Sequence, residues 1–224
     1  VDPVLILSPH LDDAVLSCGQ FMAGRPDVVV ATVFAGYPPA PFRVTTPYDE
    51  HCGFRHAADA IKTRREEDIT ALSVLNAAAM HLPFCDVQYG QAFDWEAASS
   101  MVSSIVAAVN PDYVLAPLGV LHPDHYRVTS LAIRTVSADR LRFYADLPGS
   151  VTDPESILYR HASIAAESKR HNAMLQRTFV GTGEAGLKLQ ACEQYRSQWP
   201  VIGNEGNGLG HNCVMTPERY WEWA

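Results

Sequence analysis

No apolar stretch in this chain approaches the roughly 20 residues that a helix needs to cross a bilayer, so no membrane association is expected. The strand-like residues 1–7 lack the basic flank and cleavage pattern of a secretory signal. The cytoplasm is therefore the expected location, with whatever preceded Val1 left open. No stripe of Lys and Arg is present: 17 basic residues against 25 acidic ones give a net charge of −8. Such a surface does not neutralise a phosphate backbone, which argues against nucleic-acid binding. The five cysteines, Cys18, Cys52, Cys85, Cys192 and Cys213, are scattered and form no C-x-x-C pair. Neither a disulfide framework nor an all-thiolate zinc site is expected, and Cys18 reads as a small buried hydrophobe. No G-x-G-x-x-G follows the first strand and no G-x-x-x-x-G-K-[ST] occurs, so nucleotide binding has no motif to rest on. Gly181-Thr182-Gly183 follows a helix pattern and is a poor phosphate cradle.

What is present is strand–helix alternation in a chain long enough, at 224 residues, for one core. Strands are expected at 4–8, 28–34, 80–83, 112–117 and 141–145, and helices at 12–23, 56–77, 95–109 and from the 122–125 segment to 136. Such alternation implies right-handed crossovers and an α/β, Rossmann-like, mostly parallel sheet flanked by helices. Beyond it, 157–161 reads as a strand and 165–176 and 185–198 as helices. One domain over 1–224 is expected, its core at 1–147 and its C-terminal portion, 148–224, closing a cleft. The proline-rich segment 36–55 and the glycine-rich segment 203–210 are long loops of the kind that carry recognition. Trp199, Trp221 and Trp223 read as packing residues.

Two clusters carry the chemistry. His10-Leu11-Asp12-Asp13 follows the first strand and His122-Pro123-Asp124-His125 follows the fourth. Ligands of parallel sheets sit beyond the carboxyl ends of strands, where both clusters fall. Imidazoles and carboxylates there suit a zinc ion with one open position, the core of a metal-dependent hydrolase; another divalent metal is compatible. The competing reading is helix capping, since Asp12, Asp13, Pro123 and Asp124 all suit a helix start.

The pairing of Ser8-Pro9-His10-Leu11-Asp12-Asp13 with His122-Pro123-Asp124-His125 resembles the zinc-dependent PIG-L/LmbE-like N-deacetylases. Arg64-Arg65-Glu66-Glu67, and Lys188 followed by Tyr195-Arg196-Ser197-Gln198, extend the likeness along the chain. The resemblance implies that His10, Asp13 and His125 bind zinc, that Asp12 is the general base, and that His122, protonated, stabilises the oxyanion. Leu11 and Ala14 depart from the common A-H-P-D-D-E form, which bears on the substrate rather than the ligands. The implied activity removes an N-acetyl or N-acyl group from an amino sugar or glycosylated small molecule. Alternatives are an amidase cutting a larger acyl group, or a non-catalytic sugar-binding homologue. Arg64 is a candidate for a sugar hydroxyl or an anionic group, with Arg65 more at home on a solvated helix face. Tyr37, Tyr48 and Tyr126 are candidates for stacking on a sugar ring. His51, Cys52, His211 and Cys213 lack the spacing of a second metal site. The oligomeric state is left open.

Overall fold

The computed structural model describes residues 3–40, 44–168, 175–180, 183–202 and 216–224. The apolar runs form strands β1 (Val4–Ser8), β2 (Val28–Thr32), β3 (Ala77–His81), β4 (Tyr113–Pro117) and β5 (Leu141–Tyr144). These pair in parallel in the order β3-β2-β1-β4-β5. Two strands follow, β6 (Leu175–Val180) and β7 (Arg219–Trp223). β7 lies antiparallel against β5 and β6 antiparallel against β7, so the C-terminal part extends the same seven-stranded sheet.

The helices are α1 (Asp13–Ala23), α2 (Pro47–His51), α3 (Ala57–Val74), α4 (Trp95–Val109), α5 (Pro123–Thr135), α6 (Gly149–Thr152), α7 (Glu155–Glu167), α8 (Ala185–Cys192) and α9 (Trp199–Ile202). Every residue of β1 is buried, and its side chains alternate between two apolar layers, as the period of a strand demands. Leu5 and Leu7 join Val102 and Ile105 of α4 and Val128 and Leu131 of α5. Val4 and Ile6 join Val15, Cys18 and Met22 of α1, Leu72 of α3 and Cys192 of α8. Cys18 is fully buried, as its composition class suggests. Trp221 packs into the first layer with Trp223 against it, and Trp199 against the second. Among the described residues, no helix is long and apolar enough to cross a membrane.

A buried ion pair ties α1 to the C-terminal part. Lys188 Nζ donates to Glu218 Oε1 at 2.8 Å, and both side chains are fully buried. Glu218 also accepts the backbone N–H groups of Gln20 and Phe21 and the hydroxyl of Tyr220. Gly19 makes room for this approach, because a Cβ there would lie 2.5 Å from Lys188 Cγ.

The regular half of the chain matches its pattern, with differences that have physical causes. Ala77-Ala78-Ala79 are strong helix formers, so α3 reads as longer than it is. The structure ends α3 at Val74, turns at Asn76 with φ 56, and places β3 at 77–81 rather than 80–83. The second strand stops at Thr32 rather than at residue 34. Residues 157–161 are helical, not extended: the Ile157-Leu158-Tyr159 triplet looks strand-like, but the inward face of α7 is Ile157, Arg160 and Ile164. A buried arginine on that face hides the helical period. The helix expected at 165–176 gives way to β6 from Leu175, and that expected at 185–198 stops at Cys192. Residues 203–210, and Gly181 and Thr182, lie outside the described residues.

Candidate active site

From β1 the sheet grows in one direction through β2 and β3 and in the other through β4 and β5. A crevice opens at such a reversal, beyond the carboxyl ends of the two central strands. The turn from β1 to α1 carries His10 to Asp13, and the turn from β4 to α5 carries His122 to His125. The two motifs thus meet across the reversal.

Helix capping does not account for Asp12, whose side chain makes no cap hydrogen bond. Ser8 Oγ instead accepts the N–H of Ala14 at 3.1 Å and donates to the carbonyl of His10 at 2.8 Å. Asp13 Oδ2 accepts the backbone N–H of His10 at 2.9 Å. The same oxygen lies 3.1 Å from His10 Nδ1 and 3.2 Å from His125 Nε2. Two imidazole nitrogens and one carboxylate oxygen therefore converge. The opposite nitrogens are held as well: His10 Nε2 lies 3.2 Å from Asp124 Oδ2, and His125 Nδ1 2.6 Å from Asp146 Oδ1. A carboxylate behind each histidine fixes ring orientation and raises ligand basicity, an arrangement typical of metal-ligating histidines. Asp124 is itself anchored by the N–H of Val87 and by Arg127, and Asp146 by the N–H of Gly119. The donor set fits a borderline cation such as zinc. His10, His122 and His125 also bring ring nitrogens within 4.8 Å of one another, as do ligand atoms of His10, Asp86 and Asp124.

Electrostatics follow from this packing. Burial opposes charge on His10, but Asp86, Asp124 and Asp13 hold its pKa well above the usual imidazole value. Burial likewise works against His125, yet Asp13 and Asp146 raise it to about 10. Asp13 is buried too, and His125 and His10 keep it well below the ordinary carboxylate range. Asp12 behaves oppositely: burial, then the neighbouring Asp13, pushes its carboxyl up to about 7. Two adjacent carboxylates thus have separated proton affinities. Burial and the nearby His10 and His125 lower the pKa of His122, and Nδ1 accepts the N–H of Asp124 at 3.2 Å. That contact leaves Nε2 as the ring's available donor.

A cavity of about 400 Å³ opens over these groups, within the usual range for small-molecule sites. His10, Asp12, Asp13 and His122 line it, with Tyr48, Arg64, Asp86, Gln88 and Gln198 around them. Arg64 is buried, with Nη1 2.8 Å from Asp49 Oδ1. Tyr37 and Tyr126 are not part of this lining. Tyr37 is exposed under the guanidinium of Arg65, and Tyr126 packs against Arg160. Arg65 donates to His81 Nδ1. His51 and Cys52 join no metal-ligating group among the described residues, and His211 and Cys213 lie outside them.

Three contributors escaped the sequence reading. Asp146 stands two residues past the end of β5, the strand end next to the motif-bearing ones, and that position is the signal available for it. Asp86 enters from the connection after β3. Gln198 belongs to the quoted Tyr195-to-Gln198 run, whose purpose the contacts reveal. Tyr195 donates to Asp68, Ser197 to Glu67, and Gln198 Nε2 to the carbonyl of Leu11. The run clamps α3 and the first motif together.

By structure the chain resembles the teicoplanin deacetylase Orf2, solved in a zinc-inhibited form, with TM-score 0.79 and 24% identity over 99% of this chain and 98% of that one. It resembles the A40926 pseudoaglycone deacetylase Dbv21 with TM-score 0.75 and 25% identity over 100% and 97%. GalB, a 4-carboxy-2-hydroxymuconate hydratase from Pseudomonas putida, has a TM-score of 0.57 and 17% identity over 100% and 96%, so the fold alone does not name a reaction. No curated protein is matched by sequence. Residues 5–136, more than half of the chain and both motifs, match the family PIG-L, GlcNAc-PI de-N-acetylase. The chain belongs to the PIG-L family of N-deacetylases.

Proposed function

We propose that this protein is a zinc-dependent hydrolase that removes the N-acetyl group of an amino sugar carried on a small molecule. The observation that carries the reading is the single oxygen Asp13 Oδ2 between His10 Nδ1 and His125 Nε2, with Asp12 beside it and free of any capping duty. A bound zinc ion would supply a lowered water pKa and polarisation of the amide carbonyl. His10, Asp13 and His125 would hold it. Asp12 accepts a proton from the attacking water, whose oxygen bonds to the carbonyl carbon, and delivers that proton to the amide nitrogen as the C–N bond breaks. His122 donates Nε2–H to the carbonyl oxygen as negative charge grows there. The products are acetate and a free amine.

Arg64 is the residue proposed to hold the sugar. Its Nε and Nη2 are buried without hydrogen-bond partners, and it lines the cavity. Tyr48, rather than Tyr37 or Tyr126, supplies the aromatic wall. The likeness to a pseudoaglycone deacetylase supports a glycosylated small molecule as substrate. The test is a panel of N-acyl glucosaminides differing in acyl length, with the released acid and amine identified by mass spectrometry. Acetate from the N-acetyl compounds is the expected result. Release of only longer acids would make the protein an amidase of another specificity, and no release from any member would reject the reading.

Asp146 provides a prediction that bears on the metal without touching a ligand. Asp146→Asn weakens the acceptor behind His125 Nδ1, and zinc affinity should fall about 10–100-fold, the usual effect of such partners. Competition with a chromophoric chelator measures it; an unchanged affinity would remove Asp146 from the site.

A further inference from the structure

The α2 segment reaches the cavity through two residues that do not line it. Asp49 is fully buried. One of its carboxylate oxygens, Oδ1, lies 2.8 Å from Arg64 Nη1, and the other, Oδ2, accepts the hydroxyl of Tyr89 at 2.9 Å. Its backbone is held at both ends, its N–H by Thr46 Oγ1 and its carbonyl by the N–H of Phe54. The same Thr46 hydroxyl donates to Gln88 Oε1, and Gln88 Nε2 donates to Asp86 Oδ2 at 2.6 Å. The guanidinium of Arg64 also stacks between Tyr48, 5.1 Å from its ring centre, and Phe54, at 5.5 Å. Among the described residues, the ion pair and both ring contacts of the guanidinium come from residues 48–54.

A buried arginine serving only as a structural ion pair should have its other donors satisfied, because each orphaned group bears an uncompensated desolvation cost. Arg64 keeps Nε and Nη2 without partners at 3% exposure in the wall of the cavity. We infer that Asp49 is a positioning residue for substrate recognition: it commits Nη1 and fixes the plane of Arg64, leaving Nε and Nη2 for acceptor oxygens of the sugar, while Tyr89 fixes Asp49. This rests on the proposed sugar-holding role of Arg64. Thr46 braces the opposite wall through Gln88 and Asp86, so α2 sets the spacing between a cationic and an anionic group facing the same ligand.

The experiment compares wild type, Asp49→Asn and Tyr89→Phe, all zinc-loaded, on methyl N-acetylglucosaminide, with crystal structures of both variants. Arg64 binds substrate and transition state alike, so the loss should fall on KM and spare kcat. KM should rise about tenfold in Asp49→Asn and about threefold in Tyr89→Phe, the range of one or two weakened hydrogen bonds, with kcat within about twofold. Zinc content should be unchanged. The Asp49→Asn crystal structure should show Arg64 displaced from between Tyr48 and Phe54. A fall in kcat or in thermal stability with KM unchanged would reduce Asp49 to a structural role, and an Arg64 that has not moved would overturn the proposal. Should Asp49→Asn fail to fold, Tyr89→Phe carries both readouts. A wild-type protein inactive on every N-acetylglucosaminide would reject the deacetylase reading alone, with the crystallographic comparison still deciding whether Asp49 positions Arg64.

Discussion

Asp12→Asn lowers turnover by about 10²–10⁴-fold while the protein keeps its full complement of zinc, the loss expected when a general base is removed. The substitution keeps the side chain's shape and takes away its capacity to accept a proton. It touches no capping hydrogen bond, since Asp12 makes none. Nor does it disturb Asp13 Oδ2, the oxygen between the two imidazoles. Burial raises the Asp12 carboxyl to about 7, where it can both take and return a proton near neutrality. His122→Ala should likewise keep zinc and lose about 10²–10³-fold in kcat, the scale of a single oxyanion donor. It also leaves the N–H of Asp124 without its cap, so its stability should drop by about 1 kcal/mol where Asp12→Asn shows no such change. Near-normal turnover in Asp12→Asn would pass the base role to another group.

The second large effect separates ligands from reactants. His125→Ala and Asp13→Ala should each abolish stoichiometric zinc binding along with turnover. Their affinity loss should exceed the roughly 10–100-fold expected of an outer partner such as Asp146. Asp13→Ala is the harsher change, because its one oxygen serves both imidazoles. Both rings, held at raised pKa by the surrounding carboxylates, would then face each other with the compensating charge gone. Elemental analysis of the dialysed variants measures this. Zinc at one equivalent in either variant would assign the metal to other donors, the His10, Asp86 and Asp124 group being the first to examine.

Both motifs were legible in the sequence because they sit at strand ends, and β1 and β4 are continuous apolar runs that need no tertiary knowledge to locate. Their spacing of three residues within each motif also spoke for convergence. What the spacing could not separate was ligand from cap: Asp12 and Asp13 are adjacent and chemically alike. The difference lies in which oxygen the turn aims at His125 and in Ser8 taking over the capping duty. Asp124 was legible as a helix-start residue, but its carboxylate supports His10 from the first turn of α5, a contact that closes only in three dimensions. Asp86 had no local pattern and Asp146 only its place past a strand end, since each works through a contact more than 20 positions away in the chain.

Tyr37, Tyr48 and Tyr126 are equivalent as exposed-looking aromatics near motifs, and only the fold sorts them. Tyr48 is drawn to the cavity with Arg64, whereas Tyr37 and Tyr126 are occupied by Arg65 and Arg160. The C-terminal third was the least legible part of the fold. β6 and β7 are antiparallel additions outside the strand–helix rhythm, and the buried charges Arg160, Lys188 and Glu218 break the apolar periodicity on which pattern reading depends.

The proposed function requires one metal, held by His10, Asp13 and His125, for amide hydrolysis by this chain. The direct measurement is a titration of metal-stripped protein with zinc, following amine release from an N-acetylglucosaminide at each step. No turnover is expected without metal, and the rise should break at one zinc per chain. Full turnover by the stripped protein, or a rise that continues to two zinc ions per chain, would contradict that requirement.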